Sequence, residues 1–183
     1  MSAESNLRPP KAKRLTAFAR NRKGTAAVEF AIVAMPFFYL MLATMETAMV
    51  YVAQTSLELS LTSVQRDIRT GAAQRANRSA GEMRQQVCDS LGQFLAADCA
   101  TELWLDVDSF PSLASVTLTS PLNNGAIDPG SINYSPGGPD SIVLIRAYYA
   151  WQIDTPMLEV ALGNMSGGKR LLTASRLMRV EPY

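Results

Sequence analysis

Few residues in this chain have types and spacings that could do chemistry. Gly163-Asn164-Met165-Ser166-Gly167-Gly168-Lys169-Arg170 has the G-x-x-x-x-G-K spacing of a phosphate-binding loop. Such a loop needs Ser or Thr after the lysine to hold magnesium, and it follows a strand and opens a helix. Here Arg170 takes the Ser/Thr place, and the hydropathy pattern puts a short helix before the loop and a strand after it. The stretch therefore reads as a flexible turn. Glu102, Asp106 and Asp108 alternate along one strand-like segment and could in principle hold calcium. No calcium-loop pattern accompanies them, so they read as a solvated strand face. The chain has no histidine, the commonest general base and metal ligand, and no serine nucleophile elbow. The expectation is a protein that is not an enzyme and uses no cofactor and no metal.

Two carboxylates and two cysteines stand in more specific surroundings. Glu29 lies within an apolar run. A carboxylate in a membrane segment costs a few kcal/mol on insertion scales and is usually partnered or functional. Only Thr25–Val28 separate Glu29 from Gly24, so an interfacial position is the competing reading. Glu46 has the same interfacial reading at the opposite end. Cys88 and Cys99 lie beyond the run with ten residues between them. In an oxidising compartment they can close a small loop worth about 3 kcal/mol; otherwise they are two buried thiols.

The elements that must position these residues follow from charge and periodicity. The 183 residues suffice for one domain and a membrane segment. The net charge of +1 hides an uneven distribution. Residues 1–24 carry seven Lys/Arg (Arg8, Lys11, Lys13, Arg14, Arg20, Arg22, Lys23) against Glu4, whereas the remainder is mildly acidic. A basic arm beside an apolar run fits the positive-inside rule better than nucleic-acid binding. It is read as a disordered cytoplasmic segment, with a short amphipathic piece at Leu15 and Phe18. The run 25–51 is the only one of membrane length; at ~1.5 Å per residue it spans the ~30 Å hydrocarbon core with some tilt. We assign 25–53 as the transmembrane helix, bent near Pro36. A cleaved secretory signal fits less well, because its apolar core is shorter and ends in small residues.

Beyond the run, Leu57, Leu61, Val64 and Ile68 fall on one helical face. Val50 and Ala53 extend that stripe backwards. A second stripe at Met83, Val87, Leu91 and Phe94 predicts another helix ending near Ala97, after a break at 71–80. The period then changes to two. Segments 102–108, 114–119, 141–151 and 171–180 read as strands, with a short helix after Pro156. Residues 120–140, rich in Pro, Gly, Asn and Ser, read as a long loop and a candidate contact surface. The predicted fold class is α+β. A long N-terminal helix packs on a small, about four-stranded antiparallel sheet, and 54–183 form the extracytoplasmic domain.

A basic arm, then Gly24, then Glu29 as the fifth residue after it, then an apolar helix, resembles the processing site of type IV prepilins and pseudopilins. The fuller stretch Gly24–Pro36 resembles the start of the TadE-like family of the Tad (Flp) pilus system. Glu46, Tyr51, the aromatic pair Tyr148-Tyr149 and the terminal Arg179–Tyr183 also resemble that family. The resemblance implies that a prepilin peptidase cuts between Gly24 and Thr25, removing residues 1–24. It implies that Glu29 then pairs with the N-terminal amine of a neighbouring subunit. It further implies a minor pilin or pseudopilin that helps initiate or assemble a pilus for surface adhesion. The expected location is the bacterial inner membrane, crossed once, with the C-terminal domain periplasmic. Its partners would be other Tad pilins and the inner-membrane assembly platform. The major pilins of this system are very small, so a domain of this size argues against the main filament subunit. The alternative is an uncleaved, signal-anchored periplasmic binding or scaffold domain unrelated to pili.

Overall fold

The computed structural model describes residues 24–183, except the side chains of Gln93 and Phe94. The basic arm, its amphipathic piece at Leu15 and Phe18, and the apolar position expected of Phe94 lie outside the described residues.

Helix α1 (Thr25–Arg69) is unbroken through Pro36. The chain forms two compact units, one ending at Leu42 and the other running Ala43–Tyr183. In the second unit Ala53, Leu57, Leu61, Val64 and Ile68 of α1 are fully buried, the face that the 3.6-residue period specified. Gly71 ends the helix in the left-handed conformation (φ 72°) and donates its N–H to Ile68 O at 3.1 Å. A Cβ there would collide with the Tyr183 ring, so both backbone and neighbour require glycine.

Helices α2 (Ala72–Arg75) and α3 (Ala80–Ser90) follow. A reciprocal cap starts α3: the Ser79 hydroxyl accepts from Glu82 N–H, and the Glu82 carboxylate accepts from Ser79 N–H at 2.7 Å. Those Ser79 contacts hold the Glu82 carboxyl below the usual carboxylate range. The second helix does not continue to Ala97. Leu91 and Gly92 are extended, and α4 (Gln93–Ala96) and α5 (Cys99–Glu102) are separate turns. Glycine weakens a helix interior, and the break lets Leu91 and Leu95 both enter the core.

The main sheet is antiparallel in the order β1 (Leu103–Phe110), β4 (Ile142–Gln152), β5 (Lys169–Arg179). A separate hairpin, β2 (Leu122–Asn123) with β3 (Ala126–Ile127), turns on Asn124-Gly125, both at positive φ, the conformation that a tight hairpin demands. Helix α6 (Leu158–Leu162) joins β4 to β5. The expected α+β fold, a long apolar N-terminal helix with a small antiparallel sheet, is therefore present, with five strands among the described residues.

The strand expected at 114–119 is absent. Residues 113–115 form a 3-10 turn, and Leu118 is exposed. The β1 edge it would have joined is occupied by another segment. Val107 N–H donates to Asn133 O at 2.9 Å, and Ser135 N–H donates to Val107 O at 2.7 Å. The 120–140 stretch is thus a packed cover along β1 rather than an open loop.

One core joins these elements. Leu57, Leu61 and Val64 of α1 meet Met83 and Val87 of α3, and the inward residues of the sheet (Leu105, Ile145 and Ala174 among them). Burying each large aliphatic side chain contributes roughly 2 kcal/mol. The central strand β4 is buried on both faces, because the 113–140 segment covers the face turned away from α1.

Candidate functional site

Among the described residues no heavy atom lies within 4 Å of where a Cβ on Gly24 would stand, and α1 begins at the next residue. Glu29 is exposed on the first turns of α1 and has no partner among the described residues. Phe30, Ile32, Val33, Phe37 and Leu40 around it are exposed as well. Among the described residues α1 is the one helix long and apolar enough to cross a membrane, and none of its most apolar window is buried.

Glu46 is placed differently. It is 9% exposed, and its carboxylate accepts N–H bonds from Asp154 at 2.6 Å and Thr155 at 2.8 Å. Charge-assisted bonds of this kind are about twice as strong as neutral ones. They tie α1 to the loop after β4. The interfacial reading of Glu46 missed this, although the sequence held a signal. Positions 46, 50, 53, 57, 61, 64 and 68 form one helical stripe, and an acid on the buried stripe requires a partner inside the fold.

Cys88 and Cys99 are bonded to each other, with Cα atoms 5.7 Å apart, joining the end of α3 to the start of α5. The Tyr149 hydroxyl donates to Leu95 O, between them in sequence, at 3.3 Å. Burial, with Asp98 and then Glu102 adding to it, pushes the Tyr149 phenol up to about 12.

The three alternating acids are not a solvated face. Asp106 is 1% exposed. Arg146, its cross-strand neighbour, bonds Asp106 at 2.5 Å and Asp108 at 3.0 Å. Arg146 also donates to Thr119 O at 3.2 Å, and Asn133 N–H donates to Asp106 at 2.8 Å. Burial pushes the Asp106 carboxyl up, against the pull of the Asn133 N–H and the Arg146 charge. Glu102 pairs with Lys169 at 2.7 Å. Period two put the acids on the sheet face away from α1, but nothing local disclosed that residues 119 and 133 cover it. Among the described residues no three His, Cys, Asp or Glu side chains are grouped to hold a metal ion.

The Gly163–Arg170 turn lies between α6 and β5, the reverse of a strand–loop–helix phosphate site. Four of its amides are already used: Gly163 N–H donates to Glu159 O, Asn164 and Met165 N–H donate to Lys169 O, and Ser166 N–H donates to Gly125 O.

The class of protein these features define is an apolar N-terminal helix that runs into a small α+β domain. Residues 24–61 match the family model described as TadE-like protein, so over that stretch the resemblance to the TadE-like family is borne out. No curated protein and no solved structure matches the chain.

Proposed function

We propose that this chain is a pilin-like minor subunit of the Tad (Flp) pilus system. It crosses the inner membrane once through α1, and a prepilin peptidase cuts it between Gly24 and Thr25. The observation that carries the reading is one coincidence. The TadE-like match begins at Gly24, the uncrowded glycine, and α1 begins at Thr25 with Glu29 as its fifth residue.

The chemistry is simple. An uncrowded glycine offers a protease an accessible backbone. Cutting there frees an α-amine on Thr25. Glu29 carries an exposed carboxylate on the otherwise uncharged stretch 25–45 of α1, and a buried carboxylate is tolerable only when paired. The amine of one subunit and the Glu29 of the next supply that pair when apolar helices bundle, and so fix their register. The arm 1–24 stays cytoplasmic by its positive charge until it is removed. The domain 54–183 then faces the periplasm, where thiols are oxidised, in keeping with the Cys88–Cys99 bond. The protein acts through assembly with other pilins and the membrane platform, promoting adhesion, rather than by catalysis.

The test is the N-terminus of the mature protein. Mass spectrometry on cells with an active prepilin peptidase should find a chain beginning at Thr25. A mature chain that retains Met1–Gly24 would overturn the pilin reading in favour of an uncleaved anchored domain.

A further inference from the structure

Residues 113–140 cover one face and one edge of the main sheet, yet not one of them is buried. Their regular structure is the β2–β3 hairpin and two 3-10 turns. Tyr134 packs against the core, but Leu113 and Leu118 are exposed. Ile127 borders a cleft of about 340 Å³ beside Trp104 and Ala150. Ile132 borders another of about 300 Å³ beside Trp104 and Arg84. Apolar burial therefore contributes little to holding this cover down.

What holds it is polar and converges on one cluster. Arg146, bonded to Asp106 and Asp108, donates to Thr119 O near one end of the cover. Asp106 accepts the Asn133 N–H near the other. Val107, the next residue, gives its N–H to Asn133 O and takes the Ser135 N–H. Outlying bonds run from Gln74 to Pro136 O, between Ser109 and Ser135, and from Ser166 to Gly125 O. Beneath the cover lie the buried Leu144 and Tyr148 of β4 and the β1 edge at Val107. A bare sheet edge is a template for pairing with another chain.

We infer that residues 113–140 are a flap that opens as one unit, with the Asp106–Arg146–Asp108 cluster as its latch. Opening frees the β1 edge and bares Leu144 and Tyr148, while the core between α1, α3 and the sheet stays closed. Closed, the flap keeps β1 from pairing with a foreign strand. The difference is physical. The face of α1 is held by buried aliphatic groups, whereas the flap is held by a few bonds near the surface, the kind of segment that opens locally. Removing one partner from a buried ion cluster leaves the others uncompensated, so these bonds release together.

Hydrogen exchange on the full chain in detergent micelles, read by NMR, tests this. In the native protein the amides of Val107, Asn133 and Ser135 make three different bonds. They should share one opening equilibrium, with exchange about tenfold or more faster than the Leu57–Ile68 amides of α1 and a weaker denaturant dependence. Asp106→Asn keeps an acceptor for the Asn133 N–H but removes the charge that holds Arg146. It should speed all three amides by about tenfold further and leave Leu57–Ile68 unchanged. Three amides that open independently, or only together with α1, would overturn the flap. A variant that leaves the three unchanged, speeds α1 equally or fails to fold would overturn the latch.

Discussion

The two halves of α1 are both apolar, yet they answer to different solvents. In residues 25–42 large apolar side chains are exposed all around the helix, an arrangement at rest only in an apolar medium. In residues 53–68 all but the exposed Leu59 keep to one stripe, buried against the α3–sheet core, with mostly polar residues on the other side. The glutamates differ in the same way. Glu29 is exposed and has no partner among the described residues, whereas Glu46 is buried and satisfied by the chain's own backbone. Apolar content marks a helix as unable to face water alone. The angular spread of that content decides whether lipid, another subunit or the chain itself covers it.

The contrast predicts unequal responses to equivalent substitutions. Leu61→Ala should cost about 3 kcal/mol of unfolding free energy in detergent denaturation, while Leu40→Ala should leave that transition nearly unmoved. Equal losses would mean that both halves belong to one core.

Glu46→Ala strands two N–H donors and should cost about 2 kcal/mol, read as a lower denaturation midpoint and faster proteolysis at the 154–157 loop. Glu29→Val should fold and be processed normally but fail in assembly. Normal piliation in that variant would show that Glu29 only lies at the interface.

The smallest effect is alkaline. Burial raises the Tyr149 phenol from 10.0 to about 12, so the folded state holds that proton more tightly than the unfolded chain. Its contribution is complete below pH 10 and is lost as pH rises toward 12, about 1 kcal/mol of it by pH 11. Burial raises Tyr134 and Tyr148 too, with the same sign. Denaturation midpoints followed across this range should fall, and Tyr149→Phe should remove the steepest part of the decline. An unchanged slope in Tyr149→Phe would assign the effect to the other two phenols.

Local periodicity made much of this molecule legible. The buried face of α1, the alternating face of β1 and the turn at Asn124-Gly125 all follow from neighbours in the chain. Leu118 misled, because an alternating pattern cannot say whether a sheet edge is free to accept it; residues 133–135 had taken that edge. Asp106 misled for a related reason: its burial depends on Arg146 across the strand and on a cover supplied from residues 119 and 133.

The sequence by itself determined the anchor: an arm of seven cations, Gly24, Glu29 five residues on, and an apolar helix. Those are short-range relations of charge and hydropathy, which any fold of the remainder leaves standing. Only the tertiary structure decided the fate of Glu46, of Asp106 and of the loop after β4 that Glu46 holds. Each depends on groups brought close by folding from far along the chain. The desolvation of a carboxylate is settled by what covers it, and that is a property of packing rather than of order in the chain.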